Sequence, residues 1–345
     1  MSGTQNILII RLSAMGDVAM TVPLLRALVV QYPEVKVTVL SKPFFKPFFD
    51  DIPRVAFYGA DVNGKHKGFF GLLKLYRELK AYNIDAVADL HNVLRSKIVT
   101  ALFSLSGKKT ATTDKAREEK KALTRAENKI FKPLMPIIQR HLQTFEKLGF
   151  PIDLTVPIFP EKQALTATVI DVTGAKQGVW IGIAPFAQHQ GKVYPADLMQ
   201  EVINQLAKNK NYKLLLFGGG KQEIEILEQF AKGHDNVVVT AGKLKLQQEL
   251  ALISNLDVML SMDSGNAHMA AMLGVKVVTL WGATHPYAGF APFNQPLENA
   301  LTADREQYPL LPTSMYGNKI VEGYGDAMRT ITPEIVVNKI NAVLS

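Results

Sequence analysis

The chain has no cysteine among its 345 residues. That excludes disulfides, cysteine-ligated metal sites and thiol nucleophiles. No apolar run approaches the ~18 residues that a bilayer-spanning helix needs. Asp-x-Asp is absent, and His66, His91 and His141 are scattered rather than spaced as metal ligands. G-x-G-x-x-G is absent, so there is no dinucleotide fingerprint. The opening Met1-Ser2-Gly3-Thr4-Gln5-Asn6 has no basic region, and Arg11 interrupts the apolar stretch behind it. That is not a secretory signal, and a cytoplasmic location is expected. No metal and no cofactor is expected either.

Apolar residues make up 47% and charged residues 20%, the balance of a globular protein. The length accommodates two domains, each with its own core. The formal charge is +8, which suits an acidic substrate, an anionic surface or nucleic acid. Much of it is local. From Lys108 to Lys132 nine Lys/Arg stand against four acids, a net +5. A solvated helix face with i,i+4 pairs is one reading of this run, and a site for an anionic acceptor the other. Phe131 is its one aromatic residue, so the aromatic interleaving of nucleic-acid binders is missing and no nucleic-acid partner is expected.

Strand and helix patterns alternate. Strands are predicted at 7–11, 35–40, 54–58, 84–90 and 108–112, then at 179–184, 213–217, 236–240, 257–260 and 276–280. Helices are predicted at 17–31, 69–82, 94–105 and 137–148, then at 196–208, 221–232, 246–254, 264–273 and 333–344. Regular βα alternation argues for parallel sheets covered by helices. The stretch from Pro151 to Gly178, rich in proline, Thr and Ala, reads as a boundary. Domains are expected over 1–160 and 175–325, with a capped terminal helix beginning at Pro333.

Two strand–turn–helix junctions stand out. Ile7 to Arg11 runs into Leu12-Ser13-Ala14-Met15-Gly16-Asp17, then helix. Leu256 to Leu260 runs into Ser261-Met262-Asp263-Ser264-Gly265-Asn266-Ala267-His268. Such a helix start offers unpaired N–H groups and the positive end of a dipole to an anion. Gly265 lets a phosphate approach, and His268 sits about one turn inside. Asp or Ser before a helix is equally a plain N-cap. Paired junctions at the carboxyl ends of parallel strands are where open α/β sheets bind ligands.

Ile7 to Pro23 resembles the N-terminal signature of the family 9 glycosyltransferases, the lipopolysaccharide heptosyltransferases. Ser261 to Ala271, followed by Val277-Val278-Thr279-Leu280-Trp281-Gly282-Ala283-Thr284-His285-Pro286, resembles the C-terminal signature. The resemblance implies a GT-B fold: α/β, two Rossmann-like domains whose parallel sheets face a central cleft, with the last helix returning to the first domain. It implies an inverting transfer of a heptose from a nucleotide-sugar donor, ADP-heptose, to an anionic glycolipid acceptor of the lipopolysaccharide inner core, without a metal. It also implies transient contact with the inner membrane surface. A sugar-nucleotide epimerase of the same fold and a non-catalytic nucleotide-sugar-binding protein are the alternatives.

The family's catalytic base falls on Asp17, which must take the acceptor's proton during attack; an early-turn acid favoured by the helix dipole is the simpler account. Ser13 and Gly16 would shape the acceptor side of that turn. Lys192, in Lys192-Val193-Tyr194-Pro195, resembles the family's diphosphate-contacting lysine, a fixed cation where leaving-group charge builds. Asp263, Ser264, Gly265 and His268 would hold the diphosphate from the other side. Gly218 and Gly219 of a triple glycine, Gly242, and Glu249 as a ribose partner complete the donor set. Lys115, Arg117, Lys120 and Lys121 are assigned to the acceptor. Segment 304–326 matches no family element. Phe44, Phe45, Phe48 and Phe49 read as core, or as a membrane-facing patch.

Overall fold

The computed structural model describes residues 5–319 and 321–345. Residues 1–4, part of the stretch in which a signal was sought, lie outside them, as does Ile320 within segment 304–326.

In chain order the first elements are β1 (Asn6–Ile10), α1 (Met15–Ala19), α2 (Val22–Gln31), β2 (Lys36–Ser41), β3 (Val55–Gly59), α3 (Gly68–Lys80), β4 (Ala86–Asp89), α4 (Leu94–Leu105) and β5 (Lys109–Thr112). Next come α5 (Arg117–Thr124), α6 (Ile137–Leu148) and α7 (Ala167–Thr173). The remainder is β6 (Val179–Ala184), α8 (Ala196–Ala207), β7 (Tyr212–Leu216), α9 (Lys221–Ala231), β8 (Val237–Val239), α10 (Leu246–Ser254), β9 (Val258–Met262), α11 (Gly265–Met272), β10 (Lys276–Trp281), β11 (Ala300–Thr302) and α12 (Pro333–Leu344). The predicted helix at 17–31 is two helices, because Pro23 near the start of α2 has no N–H to continue a ladder. α5, α7 and β11 lie where no element was expected; each is short or polar, with too little apolar periodicity to show.

The chain forms two compact units. The first comprises 1–116 and 135–159, the second 117–134 and 160–345. The excursion 117–134 therefore counts with the second unit. Its Leu123 and Leu134 share an apolar cluster with Ala288, Tyr287 and Phe290, and Leu134 N–H donates to the Tyr287 carbonyl at 2.9 Å. α12 packs on α8 and against β9 and β10, burying Val336 and Ile340 in the second unit's core.

The first unit holds a five-stranded parallel sheet in the order β3-β2-β1-β4-β5. Ile7 to Ile10 are fully buried, as continuous apolar strands are when helices cover both faces. The second holds a six-stranded parallel sheet, β11-β10-β9-β6-β7-β8. In each, strand order reverses beside the first strand: between β1 and β4, and between β6 and β9. Ligands of open α/β sheets bind outside the carboxyl ends of the strands at such a point. Among the described residues no helix is long and apolar enough to cross a membrane.

Candidate functional site

At the first reversal, Ile10 of β1 pairs in register with Asp89 of β4. Arg11 leaves β1 buried. One guanidinium nitrogen donates to the Leu90 carbonyl and the other meets the Asp17 carboxylate, both at 2.5 Å. Asp17 is the third residue of α1 and also accepts the Ala14 N–H at 3.1 Å. The side chain of Arg11 is 7% exposed and that of Asp17 24%. So the carboxylate faces outward with its counter-charge behind it. An early-turn acid needs no buried guanidinium; this one has both attachments.

The opposite wall is the turn after β4. Asp89 is fully buried and accepts the N–H groups of His91 and Asn92 and the Ser96 hydroxyl, at 2.8–2.9 Å. His91 sets Nε2 3.4 Å from Ser13 Oγ. Burial, seconded by the Arg11 charge, pushes its imidazole down to about 3, so it is neutral at physiological pH. The charge of Lys115 also reaches Asp89 and His91. Ser13, just before α1, and Gly16, inside it, thus flank Asp17, and Lys115 belongs to that neighbourhood. Arg11, Asp89 and His91 are additions that the sequence reading missed. A cation closing an apolar strand and a polar Asp89-Leu90-His91-Asn92 run closing another were the available signals.

At the second reversal, Ala184 of β6 pairs with Ser261 of β9. Lys192, in the turn after β6, reaches the Asp263 carboxylate at 2.9 Å, and Thr284 donates to the same oxygen at 2.9 Å. Here the lysine is the more exposed partner, 16% against 9%. Ser264, at the N-cap of α11, hydrogen-bonds Ser261 Oγ at 3.0 Å and does not cap its helix. Its first N–H groups thus keep no side-chain partner from the N-cap residue, which argues against the plain cap reading. His268 is buried on α11 one turn in.

The Lys192 turn is built tightly. Ala283 N–H donates to the Gly191 carbonyl at 2.8 Å, and Thr313 and Ser314 donate to the Ala283 carbonyl at 2.9 and 3.1 Å. A Cβ on Gly191 would stand 2.7 Å from the Gly317 carbonyl oxygen, so no side chain fits there. Buried Tyr194 fixes the far end, its hydroxyl donating to the Ile331 carbonyl at 2.5 Å. Thr313, Ser314 and Gly317 are the parts of segment 304–326 that reach this turn.

The other sequence candidates fall as follows. Gly219 N–H is taken by the Glu223 carboxylate at 2.7 Å, and Gly218 packs near Leu227 and Phe186. Gly242 follows β8 with φ +74°. Glu249, in the first turn of α10, is half-buried and pushed up to about 7 by burial. Arg117, Lys120 and Lys121 lie in the excursion, where Lys120 Nζ stands 4.2 Å above the Phe290 ring. Lys129, unassigned from sequence, donates to the Leu123 and Pro312 carbonyls at 2.8 and 2.7 Å. Among the described residues no three His, Asp or Glu side chains gather as a metal site requires.

Comparison with known proteins gives the chain a family. The chain is 27% identical over 310 residues to the lipopolysaccharide core heptosyltransferase OpsX of Haemophilus influenzae, covering 88% of this chain and 85% of that protein. Its fold is like that of a glycosyl transferase family 9 structure from Veillonella parvula, with TM-score 0.76, 19% identity, and coverage of 100% and 98%. It is also like that of the Escherichia coli heptosyltransferase WaaC with ADP, with TM-score 0.69, 20% identity, and coverage of 98% and 100%. The two parallel-sheet units are those of the GT-B fold. The sequence model of glycosyltransferase family 9 (heptosyltransferase) matches residues 72–317, Thr313, Ser314 and Gly317 included, more than half of the chain, and the chain belongs to that family of enzymes.

Proposed function

We propose that this enzyme transfers a heptose from ADP-heptose to an anionic glycolipid of the lipopolysaccharide inner core, with inversion at the anomeric carbon. The observation that carries the reading is the pairing of opposite charges at the two sheet reversals, carboxylate outward in one unit and ammonium outward in the other. The relatives' names supply the sugar, the nucleotide and the acceptor class.

In this reading Asp17 accepts the proton of the acceptor hydroxyl as its oxygen attacks the anomeric carbon. The new C–O bond forms on the face opposite the diphosphate. The old bond breaks with its electron pair going to the β-phosphate oxygen, and ADP leaves. Arg11 holds the carboxylate in position, and neutral His91 lines the approach with Ser13 without competing for the proton. Lys192, held by Asp263 and Thr284, meets the charge that grows on the leaving phosphate. The opening N–H groups of α11, with Ser264, Gly265 and His268, take the remaining phosphate oxygens. Glu249 and the Gly218, Gly219 and Gly242 turns border the nucleoside. Lys115 draws in the acceptor's anionic groups. A soluble enzyme working at the inner face of the cytoplasmic membrane follows from such an acceptor.

The test supplies ADP-heptose with and without an inner-core glycolipid and follows ADP release together with acceptor mass. ADP formed only with acceptor, matched by one added heptose, is the expected result. A changed sugar nucleotide without acceptor would indicate an epimerase. Donor binding without turnover on any acceptor would indicate a binding protein.

A further inference from the structure

We propose that the exits of β2 and β3 form a membrane-seating edge. In it Phe44, Phe69 and Phe70, flanked by Lys65, Lys67 and Lys74, lie on an anionic bilayer. The proposal rests on the acceptor reading above, since a glycolipid acceptor resides in such a surface.

Phe44, Phe69 and Phe70 are 58%, 57% and 84% exposed. The rings of Phe69 and Phe70 meet edge to face, 5.9 Å apart. Scattered exposed aromatics are ordinary, but adjacent ones on a fixed support mark an interaction surface. The support here is stiff. Asp61 accepts the N–H groups of Gly64 and Lys65 at 2.9 and 3.0 Å, and its own N–H donates to Nδ1 of His66 at 3.1 Å. Nδ1 is thus the acceptor, so Nε2 of this buried ring carries the proton toward Glu78 at 2.8 Å. Tyr58 hydrogen-bonds the same carboxylate. These bonds from Tyr58 and His66 keep Glu78 ionised, with its pKa near 2.

α3 starts from this loop and buries Gly71, Leu72, Leu75 and Leu79. Its outward positions are Phe70, Lys74 and Arg77, at the i, i+4, i+7 spacing of one stripe. Lys65, Lys67 and Lys74 are exposed, Lys65 also pairing with Glu78 at 3.4 Å, while the loop's own acid, Asp61, is engaged by backbone. The turn carrying Phe44 (Pro43–Phe48) packs on β3: a Cβ on Gly59 would stand 3.0 Å from the Pro43 ring. Phe45, Phe48 and Phe49 of that turn are buried, so the phenylalanine cluster divides into three core rings and one outward ring.

Because all five strands are parallel, β1, β2 and β3 open on one edge of the sheet. Asp17 lies beyond β1, Phe44 beyond β2, Phe69 and Phe70 beyond β3. Strands lie about 4.8 Å apart, so the phenylalanine exits stand roughly 5–10 Å across the sheet from that of Asp17. Aromatic rings ringed by lysines suit the headgroup boundary of an anionic leaflet. A second copy of this +8 chain would bring like charge to the same face.

The experiment is co-sedimentation of the full chain with phosphatidylglycerol–phosphatidylcholine vesicles and with phosphatidylcholine vesicles alone. Wild type should favour the anionic vesicles, and less so as salt rises. Phe69→Ser/Phe70→Ser should lower the partition by about tenfold or more, with an unchanged melting temperature because both rings are exposed. Lys67→Gln/Lys74→Gln should lose the anionic preference alone. Equal partition of variant and wild type would overturn the proposal. So would equal binding of wild type to both vesicle types, or a concentration-dependent dimer that the phenylalanine variant abolishes. Vesicle binding needs neither donor nor acceptor. A chain that transfers heptose yet ignores vesicles removes the seating edge alone, and one that binds vesicles as described but transfers nothing supports the edge while removing the transfer reading.

Discussion

The two sheet reversals share a plan and invert its polarity. Each sets a charged pair beside the first strand of its unit, one member more exposed than the other, 24% against 7% in the first and 16% against 9% in the second. In the first unit the less exposed member is a guanidinium and the more exposed one a carboxylate; in the second the more exposed member is an ammonium and the less exposed one a carboxylate. A buried charge left alone is costly, so its partner is held in place. The same device therefore holds a carboxylate in one unit and an ammonium in the other, and in the proposed reading the first takes the acceptor's proton. The teaching is that the fold supplies the position, while the choice of buried counter-ion decides which chemistry is presented.

That comparison can be broken at either end. Its largest consequence is kinetic: Asp17→Asn should lower turnover by roughly two to four orders of magnitude while ADP binding, followed by calorimetry, stays as in wild type. Near-normal turnover would leave the first pair a structural ion pair only. The second half is sharper in binding. Lys192→Ala should weaken ADP by about 1.5–3 kcal/mol, the size of a charge-assisted contact, and adenosine much less. Equal losses for both ligands would take the lysine away from the phosphates.

A smaller effect concerns the neutral wall opposite Asp17. The folded pKa of His91 lies near 3 and an unfolded histidine's near 6.5. Below pH 6.5 the unfolded chain binds the extra proton, so stability falls as pH drops from about 6.5 toward 3. At pH 5 that amounts to about 2 kcal/mol. His91→Gln should remove this part of the acid sensitivity, seen as a smaller drop in melting temperature between pH 7 and pH 5. An unchanged drop would show that the imidazole is not the group titrating.

The smallest effect separates the basic residues by unit. Lys115→Gln should raise the acceptor KM severalfold, about 1 kcal/mol near an anionic surface, flatten its salt dependence, and leave the donor KM alone. Arg117→Gln/Lys120→Gln/Lys121→Gln sits in the second unit and should move acceptor KM less. If the triple variant exceeds the single one, the acceptor's charges are met by the excursion instead.

Sequence was a good guide where the signal is periodic. Ten strands were placed within a residue or two, because buried parallel strands are continuous apolar runs, and the two strand–turn–helix junctions were visible for the same reason, while the roles given to Asp17, Lys192 and Asp263 came from the family resemblance. What stayed hidden is nonlocal. Nothing in Arg117 to Leu134 announces that Leu123 will pack with Ala288, and a contiguous boundary near 160 conceals a discontinuous unit. Arg11 looked like an interruption of a strand, yet it is the buried end of the first ion pair. Segment 304–326 shows little apolar periodicity, since its work is done by backbone hydrogen bonds to Ala283.

The excursion also sets a timetable for synthesis. Leu123, Phe131 and Leu134 leave the ribosome with the first unit, but Ala288 and Phe290 follow more than 150 residues later. At about 5–20 residues per second that is a wait of roughly 8–30 s. During it the nascent first unit carries an apolar hook with nothing to close on. A fragment ending near residue 160 would carry the same hook permanently, and so should self-associate more readily than the full chain.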